Sequence, residues 1–262
     1  MSVSNRVVFD IGHGSNTFPP NKGIYLPGGG SFAEHDFNAA VAIKAKRLAE
    51  YNGFEVLLSQ QPYQKDVPLS SRTSYINVEH KKNPILCCLS FHANASANNS
   101  ASGYGVFYWN TSQNGKRLAE IWNKYAIQKL NIPQWGSGVW QSKLGDWTNF
   151  HMVRETLMPA ILIEHFFFTN PSELQKCNTP GFIDLCAEVA VRTICDYAGR
   201  GFKSLNDAEQ SKSQTKSDVS SWAKEAYEFV TKNGISDGTR PKDPVTREEV
   251  WSMLQRYSVI QK

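Results

Sequence analysis

Short apolar runs alternate with longer stretches of helical period as far as about residue 198. Val7 to Phe9, Phe54 to Leu58, Ile85 to Phe91, Gly105 to Trp109 and Ile161 to Phe168 read as strands. The third and the last are near-continuously apolar, as strands buried on both faces of a parallel sheet are. Glu34 to Tyr51 reads as a helix whose stripe is Phe37, Val41, Ala45 and Leu48. Lys116 to Leu130 and Phe182 to Tyr197 read the same way, and Ser70 to Val78 predicts a short helix that Ser70 or Ser71 caps. Thr169-Asn170-Pro171-Ser172-Glu173 is a turn that opens a further helix. This alternation predicts an α/β fold, a twisted, mostly parallel sheet flanked by helices.

The pattern then changes. Ser204 to Ser217 is rich in Ser, Lys, Gln and Asp and nearly devoid of large apolar residues, the texture of a flexible linker. Structure resumes at Ser220-Ser221-Trp222, with a helix to about Asn233, a Gly/Pro turn region from Gly234 to Pro244 and a helix from Thr246 to Tyr257. The expected division is a main domain over 1–198, a linker over 199–218 and a helix-loop-helix module over 219–262. The module is too small to bury much core by itself.

Composition narrows the classes. The chain of 262 residues is 40% hydrophobic and 20% charged, as a globular protein is. A net charge of +4 with no concentrated basic stretch argues against nucleic acid as a partner. No apolar run approaches the roughly 18 residues of a membrane span, so no membrane insertion is expected. Met1-Ser2-Val3-Ser4-Asn5-Arg6 leads into the first strand without an apolar signal segment, and the expectation is a protein made in the cytoplasm. Five cysteines without CxxC spacing read as reduced and buried, with Cys87 and Cys88 on opposite faces of a strand.

In open α/β sheets the chemistry sits at the carboxyl ends of the strands. His13 follows the first strand, His92 the third, and Glu164 lies near the end of the last; Glu34 opens the first helix. Two imidazoles and two carboxylates suit a catalytic zinc site, in which three such groups bind the metal and a free carboxylate serves as base. Gly12 and Gly14 let the backbone turn sharply around His13, and Asp10 is placed to accept a ligand imidazole's second N–H. Position alone leaves His35, His80, His151 and His165 available too. His165, next to Glu164 in an extended strand, faces away from it and reads as structural.

Taken together, Asp10-Ile11-Gly12-His13-Gly14, the helix-opening Glu34, Ser90-Phe91-His92-Ala93-Asn94 and Ile161-Leu162-Ile163-Glu164 with Thr169-Asn170 beyond resemble the zinc-dependent N-acetylmuramoyl-L-alanine amidases, the amidase-3 family. The resemblance covers about residues 5 to 198 and includes Phe150 to Arg154 and Met158-Pro159-Ala160 ahead of the last strand. It implies that His13, Glu34 and His92 hold zinc and that Glu164 is the base. It also implies that Arg154 helps to hold the substrate or the active-site carboxylate. The implied reaction is hydrolysis of the amide between N-acetylmuramic acid and the L-alanine of the stem peptide, by zinc-activated water. Phe166 departs from the pattern, since many members carry Gly two residues after the catalytic Glu, and this bears on the shape of the groove.

Residues 222–249 resemble a single S-layer-homology repeat, in Trp222-Ala223, Gly234-Ile235 and Thr246-Arg247-Glu248-Glu249. This implies a module that binds a secondary cell-wall polymer, Arg247 being the natural contact for an anionic polymer. The same residues also make a helix start, Thr246 capping and Glu249 completing a capping box. Trp135, Trp140 and Trp147 fall among Gly, Ser, Gln and Asn in a stretch (131–149) that reads as a loop, there either to stack on sugars or to pack onto the sheet.

The reading is a peptidoglycan hydrolase of the phage or prophage endolysin type, released through holin-made openings to degrade the host cell wall. Alternatives are a mother-cell-lysis autolysin, a zinc carboxypeptidase or endopeptidase of the wall, and a non-catalytic wall-binding protein. The last should have lost a ligand or the base, and all four residues are present.

Overall fold

The computed structural model describes residues 4–204, 219–236 and 247–260. One sheet of six strands runs in the order β4-β1-β5-β8-β6-β7. These are β1 (Arg6–Ile11), β4 (Glu55–Leu58), β5 (Cys87–Asn94), β6 (Tyr104–Trp109), β7 (Gln134–Ser142) and β8 (Ala160–Phe167). The first four in the order are parallel; β6 pairs antiparallel with β8, and β7 pairs parallel with β6. β1 and β8 are buried at every position, which is why both read as apolar runs rather than alternations. The reversal of β6 follows from its connection. The link from Asn94 to Tyr104 carries no helix, and a parallel return needs a crossover of a dozen or more residues.

Val8, Cys88, Phe107 and Leu162 point to one face, where they meet Ile76 of α2 (Leu69–Lys82) and Met152 and Val153 of α4 (His151–Glu155). The alternate positions turn to the opposite face, covered by α1 (Glu34–Tyr51), α3 (Gln113–Lys129) and α6 (Pro180–Tyr197). All five cysteines are buried and unpaired, and Cys88 joins the α2/α4 core while its neighbour Cys87 does not.

Several local expectations are corrected. No serine caps α2. It starts at Leu69, and the Pro68 carbonyl takes the Ser71 and Arg72 N–H groups at 2.9 and 3.1 Å, so the serines lie inside the helix. A two-stranded hairpin, β2 (Gly23–Tyr25) and β3 (Ser31–Ala33), stands inside the stretch read only as loop. The Trp-rich segment holds a strand, β7, whose alternation is broken by Gly136 at φ 57°, where a side chain would run into the Trp140 ring. α5 (Pro171–Cys177) begins as read, with Asn170 Oδ1 accepting the Ser172 and Glu173 N–H groups.

Residues 1–203 and 204–262 are two separate compact units. Residues just after α6 belong to the first, the Lys203 N–H donating to Asn52 Oδ1 at 2.7 Å and Arg192 lying 4.0 Å over the Phe202 ring. In the second, helices Lys224–Lys232 and Arg247–Ile260 are described, and Arg256 Nη1 donates to the Ile235 carbonyl at 3.2 Å. Linker residues 205–218, the turn 237–246 with Thr246, and the Glu249 side chain lie outside the described residues.

Below the carboxyl edge of the sheet sits a buried ion pair. Asp10 is fully buried; its Oδ1 accepts Ser59 Oγ at 2.5 Å and Arg72 Nη1 at 3.2 Å, and its Oδ2 accepts Ser90 Oγ at 2.5 Å. Burial works to raise the Asp10 carboxyl, but the Arg72 guanidinium and the two hydroxyls outweigh it and hold it below the usual range. Arg72→Ala strands this charge, which costs about 3–5 kcal/mol, readable by urea unfolding; a loss under about 1 kcal/mol would contradict the assignment. Because the folded Asp10 carboxyl is depressed, its stabilisation is complete above about pH 3.9 and is lost as pH falls through the lower folded value. Acid unfolding of Arg72→Ala should therefore begin at higher pH than in the parent.

Candidate active site

The site forms where β1, β5 and β8 end together. His92 and Glu164 are direct register partners on neighbouring parallel strands, so one pairing sets both side chains side by side. They share the parity of Cys88 and Leu162, which places them on the α2/α4 face. Glu34 enters from the opposite side as the first residue of α1, its N–H bonded to the Lys22 carbonyl at 2.9 Å.

The Glu34 carboxylate joins the segments. Oε1 lies 3.0 Å from His92 Nδ1 and accepts the Ala93 N–H at 3.1 Å; Oε2 lies 3.1 Å from His13 Nε2. The two imidazoles meet edge to face, 4.9 Å between centroids. Ligand atoms of His13, Glu34 and His92 all fall within 4.8 Å of one another, and this trio is the potential metal-binding group found among the described residues. Burial would raise the Glu34 carboxyl, but the two histidines outweigh it and hold it far below normal. Burial lowers His13, whereas for His92 the bond to Glu34 overcomes burial and raises it.

His13 stands in the left-handed region at φ 62°. The turn that holds it is tied at every carbonyl. The Ile11 oxygen accepts Gln60 Nε2 at 2.6 Å and Arg72 Nη1 at 2.8 Å. The Gly12 oxygen accepts Asn38 Nδ2 at 3.1 Å with His35 Nδ1 also at 3.1 Å, and the His13 oxygen accepts Gln60 Nε2. A strained residue persists where its surroundings over-determine it. The flanking glycines therefore act by close approach: a Cβ at Gly12 would strike the His92 ring at 2.4 Å, and one at Gly14 the Asp66 backbone at 2.1 Å.

Glu164 is 9% exposed, and its Oε2 is buried with no hydrogen-bond partner. Burial pushes its carboxyl well up, and the nearby Glu34 charge adds to this while His92 opposes it. His13, Glu34, His92 and Glu164 line one cavity of about 680 Å³, with Lys22, Trp147 and Phe168 among its other walls.

Of the other expected residues, His151 and Trp147 line the cavity and the rest are placed elsewhere. Arg154 is not brought to this cavity; it binds Asn149 Oδ1 and, at 2.6 Å, Glu155 Oε1. Asp10 is consumed by Ser59, Ser90 and Arg72 and accepts no N–H from either imidazole. His165 is fully buried against Phe37 and Trp122, its Nδ1 at 2.9 Å from the His92 carbonyl, and burial drops it to about 4. His35 and His80 each accept a backbone N–H, while His151 lines the cavity and meets Thr73 Oγ1. Phe166 packs behind the sheet on Phe32, Phe37 and Phe182, so the departure at this position leaves the groove to Phe168. Trp135 and Trp140 pack on Phe107, while Trp147 stays 62% exposed at the cavity.

Sequence reasoning missed Gln60, Asn38 and Lys22. Gln60 stands just past the end of β4, so the strand-end rule that found His13 reaches it as well. Asn38 lies one helical turn from Glu34 and shares its face.

Known proteins resemble this chain over about three quarters of its length. An uncharacterized cell wall amidase of Bacillus anthracis is 29% identical over 200 residues, 73% of this chain and 35% of that protein. The N-acetylmuramoyl-L-alanine amidase CwlM of Bacillus licheniformis is 27% identical over 183 residues, 70% and 64% of the two chains. The chain thus spans about a third of one relative and under two thirds of the other. Among solved structures, an N-acetylmuramoyl-L-alanine amidase of Clostridium difficile 630 superposes with a TM-score of 0.63 at 28% identity, over 76% of this chain and 98% of that one. The catalytic domain of CwlV from Bacillus (Paenibacillus) polymyxa shares the fold, with a TM-score of 0.63 at 24% identity over 77% and 100%. Residues 7–196 match the family described as N-acetylmuramoyl-L-alanine amidase, Amidase_3, and the chain belongs to it.

Proposed function

We propose that this protein hydrolyses the amide between N-acetylmuramic acid and the L-alanine of the stem peptide, with zinc held by His13, Glu34 and His92 and with Glu164 as the base. The observation that carries the reading is the meeting of those three donors within 4.8 Å beside a carboxyl oxygen left without a partner. Family membership supports the substrate class.

The donor set fits the metal. Two imidazoles and one carboxylate are a ligand set that a catalytic zinc takes while leaving a position open. Bound there, zinc supplies a Lewis-acid charge that polarises a carbonyl and makes water more acidic. The chain's own residues do the remainder. Glu34, bonded to the Ala93 N–H and held ionised between the imidazoles, orients both rings. Gln60, Asn38 and Arg72 hold the left-handed turn that aims His13. Glu164 Oε2, desolvated and free of hydrogen bonds, gains by taking a proton from the attacking water and can return it to the departing amine.

Peptidoglycan is the partner in this reading, and the wall polymer meets the second unit. Its support is the set of exposed groups there: Arg247, Trp222 at 86% and Trp251 at 63% exposure. The endolysin role, with action on the wall after release by lysis, belongs to the same proposal, supported by the pairing of one catalytic unit with one small separate unit. Among the described residues, no helix is long and apolar enough to cross a membrane.

Glu164→Gln should keep its zinc, measured by elemental analysis, while kcat falls about 10²–10⁴-fold; His92→Ala should lose the metal itself. Glu164→Gln with kcat within about tenfold of the parent would defeat the base assignment. A chain ending at Ser217 should cleave soluble substrate at the parent rate but sediment less with purified walls. Undiminished sedimentation would remove the binding role from the second unit.

A further inference from the structure

We propose that substrate crosses the sheet edge in one direction, its acidic stem peptide toward Lys22, which takes a peptide carboxylate, and its glycan toward Trp147. This rests on the amidase reading and extends it to the orientation and charge of the substrate.

The topology supplies two banks. Lys22 comes from the loop after β1, whereas Trp147, in the segment after β7, packs back on Phe107 of β6 and lines the same cavity from that side. His92 and Glu164, on β5 and β8, lie between them. A scissile bond at Glu164 thus has one bank on each side, and the bond in question joins a sugar part to a peptide part.

The banks differ in chemistry. His13, His92 and His151 line the cavity together with one Lys and one Arg, and of these two Arg72 is committed to Asp10 and Asp66. Lys22 makes no ion pair among the described residues, and it lines the same cavity as His13 and Glu164. Its backbone is held at φ 62°, a conformation a long side chain rarely adopts, with its carbonyl pinned to the first N–H of α1. Strain of this kind is kept where the surroundings impose it and clusters at functional sites. A cation without a counter-ion among the described residues, at the rim of the cavity that holds Glu164, suits an anionic group on the substrate. On the other bank, Trp147 leans on Phe107, Trp135 and Phe150 and leaves 62% of itself exposed at the cavity. An indole braced this way is a rigid platform for the apolar face of a sugar.

The test uses the full chain and two soluble muramoyl peptides that differ at one place, the residue after L-alanine bearing either a free α-carboxylate or its carboxamide. The parent should favour the acid about tenfold in kcat/KM through KM, the discrimination one charge-assisted hydrogen bond supports, and added salt should erode the preference. Lys22→Gln should bring the acid-to-amide ratio to about one, and Lys22→Arg should retain most of it. Trp147→Ala should keep the ratio while raising KM for both substrates. Equal cleavage of acid and amide by the parent, or an unchanged ratio in Lys22→Gln, overturns the assignment of Lys22. A ratio lost in Trp147→Ala instead overturns the direction. If the parent cleaves neither substrate, the amidase reading itself falls, and the inference with it.

Discussion

One carboxylate holds the site together. Glu34 reaches His92 with one oxygen and His13 with the other, and so ties the ends of two strands to the first turn of a helix on the opposite side of the sheet. Each of these groups is costly to bury alone. Together they form a set in which the negative charge is shared by two imidazoles and a backbone N–H. The site therefore requires that β1, β5 and α1 arrive in register, and the core beneath them is arranged to that end.

The floor of the site shows the same economy of groups. Asp10 and Arg72, both nearly inaccessible, neutralise each other beneath the cavity, and Arg72 spends a further bond on the Ile11 carbonyl next to the His13 turn. The ion pair thus acts on the site through the backbone. Gln60, just past β4, and Asn38 of α1 complete the clamp. Glu164 departs from this saturation at the cavity itself, where its carboxylate Oε2 has been left unsatisfied. A buried polar atom without a partner calls for a reason, and proton transfer supplies one.

Much of this arrangement was legible in the sequence. β1, β5 and β8 are buried on both faces and read as apolar runs, and Glu34 begins α1 where the pattern put it. His13, Glu34, His92 and Glu164 do meet, and the ordered motifs around them pointed to the family. What was hidden depends on long-range geometry. The antiparallel entry of β6 is a matter of connection, not of residue texture. Asp10 has the same local sequence whether it faces an imidazole or Arg72, a partner 62 positions away. Gly136 broke the alternation of β7 because the Trp140 ring needed its space, which no local rule reveals. Phe166 looked like a change in the groove and proved to be core packing behind it.

The most direct test of the central claim is digestion of purified peptidoglycan by the full chain, with and without a chelator, followed by analysis of the new termini. The account predicts new N-terminal L-alanine, no new reducing sugar, and activity that is lost with the chelator and restored by zinc. New D-amino acid termini, or lysis that continues in the chelator, would contradict it.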